Sequence, residues 1–176
     1  MVFEPAGLSG AWTLTAERHH DERGYFARLW CADELRAHGL TADLAQASLS
    51  YNRAAHTIRG LHYQVAPKEE AKLVRCIRGA IYDVLVDVRP ASPTYRRWIG
   101  RELTADNGVA LYVPEGVAHG FQTLSGDSEV LYMISEFHDA SCARGVRWDD
   151  PAFGVAWPHP PAVMSDRDRS YPLVDR

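Results

Sequence analysis

The sequence predicts an all-β protein, built as a sandwich or barrel of the jelly-roll kind. Short stretches of alternating apolar and polar residues recur along the chain, and turn signals separate them at regular intervals. Before the C-terminal quarter, one stretch alone favours a helix. With 176 residues, the chain is most simply one domain spanning 1–176, long enough to bury a sizeable core.

The composition is that of an ordinary globular protein, with 46% hydrophobic and 24% charged residues. A formal net charge of -4 argues against a nucleic-acid-binding surface, which requires a basic excess. The 3 cysteines form no CxxC motif, as expected for free thiols in a reducing compartment. We see no signal-peptide pattern and no apolar run near the ~20 residues of a membrane helix. We therefore expect a soluble, cytoplasmic protein.

The first third of the chain combines strands with the predicted helix. The predicted strands are 11–15, 25–30 and 46–52. A polar turn is expected over 19–24, between the first two strands. Asp33 is expected to cap the helix, and Gly39 to end it.

The next part of the chain, up to residue 137, is rich in strands. The predicted strands are 58–64, 73–77, 80–88, 98–103, 109–113, 120–124 and 130–137. Arg78 and Gly79 are expected to form a tight hairpin turn. Asp83 and Asp87, at alternate positions of one strand, are expected to face solvent when taken alone. The proline-rich tail from Asp149 is expected to wrap the surface without pairing.

The most informative stretch is 59–72, RGLHYQVAPKEEAK, which brings a guanidinium, an imidazole and an ammonium close together in the sequence. Side chains two apart in a strand share a face, so Arg59 and His62 point to opposite faces. Lys72 begins the following strand. A histidine and a lysine delivered from adjacent strands suit a reaction in which a proton leaves and negative charge appears nearby.

The run 112–121 contains the pattern PxGxxHxF and resembles the second motif of the cupins, a jelly-roll superfamily. This resemblance implies a cupin-type jelly-roll barrel with a few short peripheral helices. Many cupins bind a metal through two histidines and a glutamate of a first motif and the histidine of the second. Here His62 is followed two residues later by Gln64, and the charge of Lys72 would oppose a divalent cation. With His119, one histidine from each motif is too few, so we expect no metal.

Seven motifs in order extend the resemblance over nearly the whole chain. They are RGLHYQ, KLVRCIRG, DVLVDVRPASPTY, VPEGVAHGF, EVLYMIS, RWDDPAFGVAWP and SDRD. Together they resemble the dTDP-4-dehydrorhamnose 3,5-epimerase family of activated deoxysugar synthesis. The resemblance implies a homodimer that uses no metal or organic cofactor. It also implies a substrate that is a nucleotide diphosphate sugar, a 4-keto-6-deoxyhexose.

Protons on C3 and C5 of such a sugar are acidic because each carbon is α to the C4 carbonyl. Removing one proton gives an enolate, and returning a proton to the opposite face inverts the centre. By resemblance His62 is the base, Tyr132 is the proton donor on the opposite face, and Lys72 lies near the C4 oxygen. Asp168 matches the carboxylate that orients the base, although Asp166 could do so from two residues away.

The resemblance assigns further residues to the substrate. Asp83 and His119 match pocket positions, and Arg23, Gln46, Ser48 and Arg59 fall at positions that hold the nucleotide and its diphosphate. The chain departs from the family pattern at Arg28, Ser48, His138 and Ala143. These positions belong to nucleotide or subunit contacts, so the proton-transfer set is intact while the nucleotide base stays open. Taken alone, Tyr132 would be interpreted as a core or rim residue of its strand, and His119 is equally compatible with a hydrogen-bonded core histidine.

The sequence thus predicts an epimerase that inverts C3, with C5 as a second centre. The alternatives are a single-centre epimerase acting on another nucleotide-linked 4-keto sugar, a metal-dependent cupin enzyme, and a sugar-nucleotide-binding or structural cupin without catalysis. An acid and a base on opposite faces favour an epimerase over a binding protein, since binding alone requires neither. We expect no nucleic-acid or membrane partner.

Overall fold

The computed structural model describes residues 1–174, and its elements are mostly β-strands. The strands are β1 Val2–Pro5, β2 Trp12–Thr15, β3 Arg18–Asp21, β4 Gly24–Ala27, β5 Gln46–Asn52, β6 Ile58–Gln64, β7 Lys72–Arg78, β8 Ala80–Asp87, β9 Trp98–Thr104, β10 Val109–Val113, β11 Val117–Thr123, β12 Ser128–Ile134 and β13 Ala143–Gly145. The helices are α1 Ala32–Ala37 and α2 Asp166–Arg169. The all-β class is confirmed. The last two residues of the predicted domain 1–176, residues 175 and 176, lie outside the described residues.

Two antiparallel sheets form the body of the protein. One has six strands in the order β1-β2-β10-β7-β12-β5, and the other has five in the order β13-β6-β11-β8-β9. Most neighbours within each sheet are distant in the chain, as in a jelly roll. The predicted cupin-type jelly-roll barrel with short peripheral helices is therefore confirmed.

The main core lies between the two sheets. Val74 and Cys76 of β7 and Leu111 of β10 pack there against Leu85 of β8 and Phe121 of β11. These residues occupy alternate positions of their strands, because successive side chains of a strand point to opposite faces of the sheet. The same inward-facing stripes carry polar and titratable residues elsewhere along the strands, and those residues surround the cavity described below.

Two further clusters cover the outer faces of the sheets. Leu35 of α1 packs with Leu73 and other residues on the six-stranded sheet. Phe153 and Trp157 of the tail pack on the outer face of the five-stranded sheet. The tail follows the surface as predicted, apart from one isolated parallel bridge between Thr57 and Val163. Within residues 1–174, no helix has the length and apolar character to cross a lipid bilayer.

The N-terminal third contains strands that the sequence pattern did not reveal. The predicted polar turn over 19–24 is largely strand β3, which pairs with β4 as a separate two-stranded ribbon. Both faces of this ribbon are mostly exposed, so it lacks the apolar alternation of a half-buried strand. Strands β1 and β13 were also missed, because each is only 4 or 3 residues long. Short edge strands carry little periodic signal.

Two local signals were misinterpreted. Helix α1 begins after Cys31, which makes no side-chain capping hydrogen bond, so Asp33 lies in the first turn and is not the cap. Gly39, with φ of +71°, follows the helix end as expected. The turn at Arg78 and Gly79 does not close a hairpin, because β7 and β8 belong to different sheets. Gly79 adopts a φ of +75° and carries the chain from one sheet to the other.

The expectation that Asp83 and Asp87 face solvent is wrong, since both are 0% exposed. They share the inward face of β8 with Ile81 and Leu85, which their period-two spacing requires. Donors offset the cost of this burial: Asp83 Oδ1 accepts from His119 Nε2, although its Oδ2 has no partner among the described residues. Asp87 accepts hydrogen bonds from Arg89 Nε at 2.9 Å, Ser92 Oγ at 2.5 Å and Thr94 Oγ1 at 2.6 Å.

Replacing Asp87 by Asn should lower the free energy of unfolding at pH 7 by about 3 kcal/mol, because buried donors lose a charged acceptor. Burial alone raises the pKa of Asp87, but the hydrogen bonds from Arg89, Ser92 and Thr94 outweigh it and hold the pKa below its usual value. A lowered carboxyl pKa gives stability that is present above the unfolded pKa, about 3.9, and is lost as the pH falls below it.

Urea unfolding of the wild type and of Asp87→Asn at pH 7 and near pH 3 measures this difference. The gap between the two proteins should shrink at the lower pH. The exposed Asp43 provides a matched control, and Asp43→Asn should change the stability by less than about 0.5 kcal/mol. An equal gap at both pH values would show that the charge of Asp87 is not the stabilising feature.

Candidate active site

A cavity of about 760 Å³ opens between the two sheets. Its volume falls within the range of small-molecule sites, about 300–1,000 Å³. The residues that line it include Gln46, Ser48, Ser50, Arg59, His62, Gln64, Glu70, Lys72, His119, Tyr132, His138, Met164, Ser165, Arg167 and Asp168. They come from both sheets and from the C-terminal tail. Eight of the ten site residues proposed from the sequence are among them; Asp83 and Arg23 are not.

The most direct contact in the cavity joins His62 to Asp168. Nε2 of His62 donates to Oδ1 of Asp168 at 2.7 Å, and the Gly60 amide donates to Oδ2 at 3.3 Å. Ser165 caps α2, since its Oγ accepts from the Asp168 amide at 3.1 Å. Asp166, the alternative partner left open by the sequence, is exposed. The carboxylate that faces the histidine is therefore Asp168.

Asp168 is mostly buried, and its environment favours the ionised form. Burial by itself raises the pKa of the carboxyl group, but the hydrogen bond and charge of His62, together with the Gly60 amide, lower it below its usual value. The carboxylate occupies Nε2 of His62, which leaves Nδ1 available to another group. The His62 side chain is 41% exposed, so a ligand in the cavity can reach it.

The position of His62 depends on a close approach of β6 and β11. His62 lies opposite His119 in the antiparallel pair, and the register shifts between His119 and Phe121. Gly60 has a φ of +121°, and a Cβ built on it would lie 2.6 Å from the Cα of Gly120. A larger residue at position 60 would push the two strands apart. The glycine therefore keeps the two histidines side by side.

His119 is bound to a second buried carboxylate. Its Nε2 donates to Asp83 Oδ1 at 2.7 Å, and both side chains are almost completely buried. Burial raises the pKa of Asp83, and the nearby His119 opposes this rise. Asp83 does not reach the cavity itself. It lies behind His119, where its charge acts on the groups that do.

Tyr132 enters the cavity from the opposite sheet. It belongs to β12, between Val74 of β7 and Ser48 of β5, and its ring meets the His119 ring edge to face at a centroid distance of 5.8 Å. Burial raises the pKa of the Tyr132 hydroxyl well above its usual value, and the charge of Asp83 raises it further. The hydroxyl therefore keeps its proton at neutral pH and can act as a donor.

Lys72 is paired with a carboxylate that the sequence analysis did not assign to the site. Its Nζ lies 2.9 Å from Oε1 of Glu70, and the two side chains are only 9% and 10% exposed. The same Nζ donates to the backbone oxygen of His62 at 3.4 Å. Glu70 precedes Lys72 by two residues, and this spacing places both side chains on one side of an extended chain. The spacing could therefore have indicated the pair from the sequence.

The mouth of the cavity carries the nucleotide-end residues proposed from the sequence. Arg59 is exposed there, and its Nε donates to Asn52 Oδ1 at 2.7 Å. Gln46 accepts from the His138 amide at 2.7 Å. Ser48, His138 and Ala143, where the chain departs from the family pattern, all line this region. Three of the four departures thus lie in the cavity lining, Ser48 on edge strand β5, whereas the fourth, Arg28, is exposed outside the cavity and pairs with Glu34.

Arg23 lies outside the cavity of its own chain. It follows β3 at the tip of the two-stranded ribbon, and its side chain is 90% exposed. Its guanidinium pairs with Asp21 at 2.5 Å. Within this chain, Arg23 therefore cannot hold a ligand bound between the sheets. Arg167 does line the cavity, although the sequence analysis did not select it from the SDRD motif.

No group of three or more His, Cys, Asp and Glu side chains among residues 1–174 has an arrangement that could hold a metal ion. His62 and His119 each bind a carboxylate through Nε2, and Glu70, the glutamate named in the cavity lining, is paired with Lys72. Both histidines and Lys72 are thus each held by a carboxylate, namely Asp168, Asp83 and Glu70.

Comparison with known proteins identifies relatives along the whole chain. Residues 5–176 match the family model described as dTDP-4-dehydrorhamnose 3,5-epimerase. A dTDP-4-dehydrorhamnose 3,5-epimerase of Sinorhizobium fredii is 40% identical over 99% of this chain and 90% of the relative.

Solved structures give the same result. A dTDP-4-dehydrorhamnose 3,5-epimerase of Bacillus anthracis with TDP and PPi bound has a TM-score of 0.94 at 39% identity, covering 98% of this chain and 99% of that one. A 3'-monoepimerase of Streptomyces bikiniensis in complex with dTDP-quinovose has a TM-score of 0.89 at 32% identity, covering 96% and 86%.

Replacing Glu70 by Gln should lower the free energy of unfolding at pH 7 by about 2 kcal/mol, because a buried ammonium loses its charged partner while the shape is kept. Urea unfolding measures this change. Glu69 is the matched control, since it is adjacent and exposed, and Glu69→Gln should cost less than about 0.5 kcal/mol. Equally small losses for both variants would mean that the ion pair with Lys72 contributes nothing to stability.

Proposed function

Because this chain belongs to the dTDP-4-dehydrorhamnose 3,5-epimerase family, which makes it a sugar epimerase, we propose that it inverts C3 and C5 of a nucleotide-linked 4-keto-6-deoxyhexose. The conversion is of the type dTDP-4-dehydro-6-deoxyglucose to dTDP-4-dehydrorhamnose. Relatives solved with TDP or dTDP-quinovose support a nucleotide sugar as the substrate. We place the cavity and its proton-transfer residues in one domain spanning residues 1–176.

This proposal rests above all on one observation. His62 and Tyr132 enter the same cavity from different sheets, His62 from the five-stranded sheet and Tyr132 from the six-stranded sheet. A sugar ring bound between the sheets then presents one face to the imidazole and the other to the phenol. Inversion of a carbon centre requires that arrangement, since the proton must leave one face and return to the other.

In the first half-reaction, Nδ1 of His62 removes the proton from C3. The C–H bond breaks, its electron pair moves towards the C4 carbonyl, and an enolate forms. Asp168 stabilises the imidazolium through Nε2 and keeps the ring in the required tautomer. The ammonium of Lys72 stabilises the negative charge on the C4 oxygen, and Glu70 holds that ammonium in place.

In the second half-reaction, the Tyr132 hydroxyl donates its proton to the opposite face of C3. The carbonyl re-forms, and the tyrosinate and the imidazolium then exchange protons with solvent. The raised pKa of Tyr132 suits this role, because the hydroxyl is protonated when the enolate forms. His119 and Asp83 support the ring of Tyr132 from behind. The same two groups act on C5 when that carbon is presented to them.

Both half-reactions are proton transfers without a change of oxidation state, so the proposed chemistry requires no metal or organic cofactor. A metal-dependent cupin enzyme is the rival reading. Metal analysis of the purified protein, with activity measured before and after chelation, separates the two, since the epimerase proposed here keeps its activity after metal is removed. The rival without catalysis is separated by the exchange assay below.

We place the nucleotide and diphosphate at the mouth of the cavity. Arg59 supplies a guanidinium there, and the fork of an arginine suits the oxygens of a phosphate. Gln46 and Ser48 face the same space from β5. The departures from the family pattern at this end leave the base of the nucleotide to be established by assay with dTDP-, CDP- and GDP-linked sugars.

Arg23 can join this site only if it comes from another copy of the chain, so the proposed enzyme is a homodimer. The ribbon that carries Arg23 exposes Tyr25 at 54% and Phe26 at 75%, and edge strand β5 exposes Leu49 at 56%. Exposed apolar side chains on a protruding ribbon and on an unpaired edge favour an interface between copies. Arg23 of one copy would then reach the diphosphate bound by its partner.

The central prediction concerns exchange of substrate protons with solvent. In deuterated water, His62→Asn should abolish deuterium uptake into the 4-keto-6-deoxy sugar nucleotide, because no base remains to form the enolate. Tyr132→Phe should keep the uptake but lose net inversion, because His62 can return deuterium only to the face it came from. Mass spectrometry measures the uptake, and NMR of the product measures inversion at C3 and C5.

Normal exchange in His62→Asn would refute the assignment of the base. Equal loss of exchange and inversion in Tyr132→Phe would show that the tyrosine is not a selective acid. Replacement of the exposed His138 at the mouth by Asn is the matched control, because it removes an imidazole from the cavity lining without touching the proton-transfer set. His138→Asn should leave the rate constant for exchange within about threefold of wild type.

A second prediction tests the contribution of Arg23 across the dimer. Arg23→Ala and His62→Asn should each lower activity at limiting substrate concentration. A mixture in which the subunits exchange should recover activity, because each mixed dimer has one site with both native side chains. Random pairing makes half of the dimers mixed, so the recovery should approach about a quarter of the wild-type rate. Analytical ultracentrifugation checks that dimers form and exchange.

Mixed dimers without recovered activity would show that Arg23 does not act across the interface. A monomeric protein would remove the homodimer altogether. As a control, mixing His62→Asn with Asp168→Asn should give no recovery. Both residues belong to the same site of the same chain, so each site of a mixed dimer carries one of the two substitutions.

A further inference from the structure

We propose that Tyr171 is a positioning residue for His62, and that its ring holds the imidazole in the orientation that keeps Nε2 on Asp168. The inference rests on the proposed role of His62 as the base. It concerns a residue of the C-terminal segment that is not part of any motif used above and does not line the cavity.

The strand next to His62 leaves a space that Tyr171 fills. Gly145 of β13 lies directly opposite His62 in the antiparallel pair. A Cβ built on Gly145 would overlap the ring of Tyr171, whose Cζ, Cε1 and Cε2 are the nearest atoms. The ring thus sits on the backbone of Gly145, where a cross-strand side chain would otherwise pack against His62. An aromatic ring over a glycine of a neighbouring strand is a known way to cover such a gap.

The tyrosine ring contacts the imidazole at a defined angle. The centroids of Tyr171 and His62 are 6.0 Å apart and their planes make an angle of 68°, an edge-to-face arrangement. On its other side, His62 has His119 as its cross-strand partner on β11. The imidazole therefore stands between a buried histidine, itself fixed by Asp83, and the ring of Tyr171.

Asp168 alone does not determine the orientation of the imidazole. A hydrogen bond at Nε2 constrains one atom, whereas rotation about the bond between Cβ and the ring is governed by a broad torsional minimum. Tyr171 follows Asp168 by three residues, so the same segment supplies both the carboxylate that binds Nε2 and the ring that packs against the imidazole. Rotation of the imidazole would move Nδ1 away from the sugar, and a displacement of about 1 Å at a reacting atom can cost about a hundredfold in rate.

The ring of Tyr171, and not its hydroxyl, performs this function. The hydroxyl is buried and has no hydrogen-bond partner among the described residues. The guanidinium of Arg167 lies over the ring at 5.9 Å, which adds a further contact to the aromatic face. Tyr171→Phe should therefore keep the positioning effect, while loss of the ring should remove it.

The test measures exchange kinetics for variants of the tyrosine and of the glycine beneath it. Tyr171→Ala, Tyr171→Leu and Gly145→Ala should lower kcat for deuterium exchange by about ten- to a hundredfold. Binding of dTDP should stay within about twofold of wild type, because Tyr171 lies outside the cavity lining. Tyr171→Phe should restore kcat to within about twofold of wild type.

The chain offers a matched control in the same sheet. The ring of Tyr82 packs on Gly100 of β9 as the ring of Tyr171 packs on Gly145, since a Cβ on Gly100 would overlap the Tyr82 ring. Neither Gly100 nor Tyr82 lines the cavity. Gly145→Ala and Gly100→Ala should both lower the melting temperature, but Gly100→Ala should leave kcat unchanged. A drop of kcat that follows stability in both glycine variants would overturn the proposal.

A second readout does not depend on catalysis. NMR spectra of the imidazole nitrogens, with the signals of His62 assigned by their loss in His62→Asn, should show one tautomer protonated at Nε2 in the wild type and in Tyr171→Phe. Tautomer averaging is expected in Tyr171→Ala, Tyr171→Leu and Gly145→Ala. An unchanged tautomer in the folded variants refutes the positioning role. A wild type that exchanges no sugar proton refutes the proposed function instead, while the NMR result still decides the role of Tyr171.

Discussion

The rest of the structure depends on one constraint: a charged side chain that points between the two sheets must find a partner there. Burying an unpaired charge is far more costly than burying a bonded pair. Asp83 is bound to His119, and Lys72 to Glu70. Asp87, further along the same strand as Asp83, is held by Arg89. Lys72 and Asp87 find their partners only two residues away, whereas the pair of Asp83 with His119 joins strands β8 and β11 and so restricts their arrangement as well as stabilising it.

The same constraint suits the cavity to the proton transfer proposed above. Pairing with Asp168 leaves the far nitrogen of His62 free, and the pair Asp83 with His119 lies directly behind Tyr132. The buried charge of Asp83 raises the pKa of the phenol, which favours a protonated acid. The Asp83 carboxylate, which would be destabilising if it were unpaired in an apolar core, thus also changes the acidity of Tyr132. Structural pairing and the proposed chemistry use the same residues.

The C-terminal segment connects the surface of the barrel to its interior. It packs over the outer face of the five-stranded sheet through Phe153 and Trp157, then returns to the open end of the cavity. There α2 supplies Asp168, and Tyr171 follows within the same short segment. The histidine of β6 is therefore completed by residues more than 100 positions away in the chain, which the closing of the barrel makes adjacent.

The sequence by itself determined the all-β class and most strand positions, because period-two alternation and short turn signals are local properties; the residues of the cavity came from ordered motifs that resemble a known family. It left Asp166 and Asp168 unresolved, and it misread the corner at Gly79 as a hairpin. Only the tertiary structure decided which carboxylate reaches His62 and which residues fill the space beside it. Those contacts join residues that are far apart in the chain and meet only when the two sheets and the tail pack together. No local pattern of residue spacing indicates them.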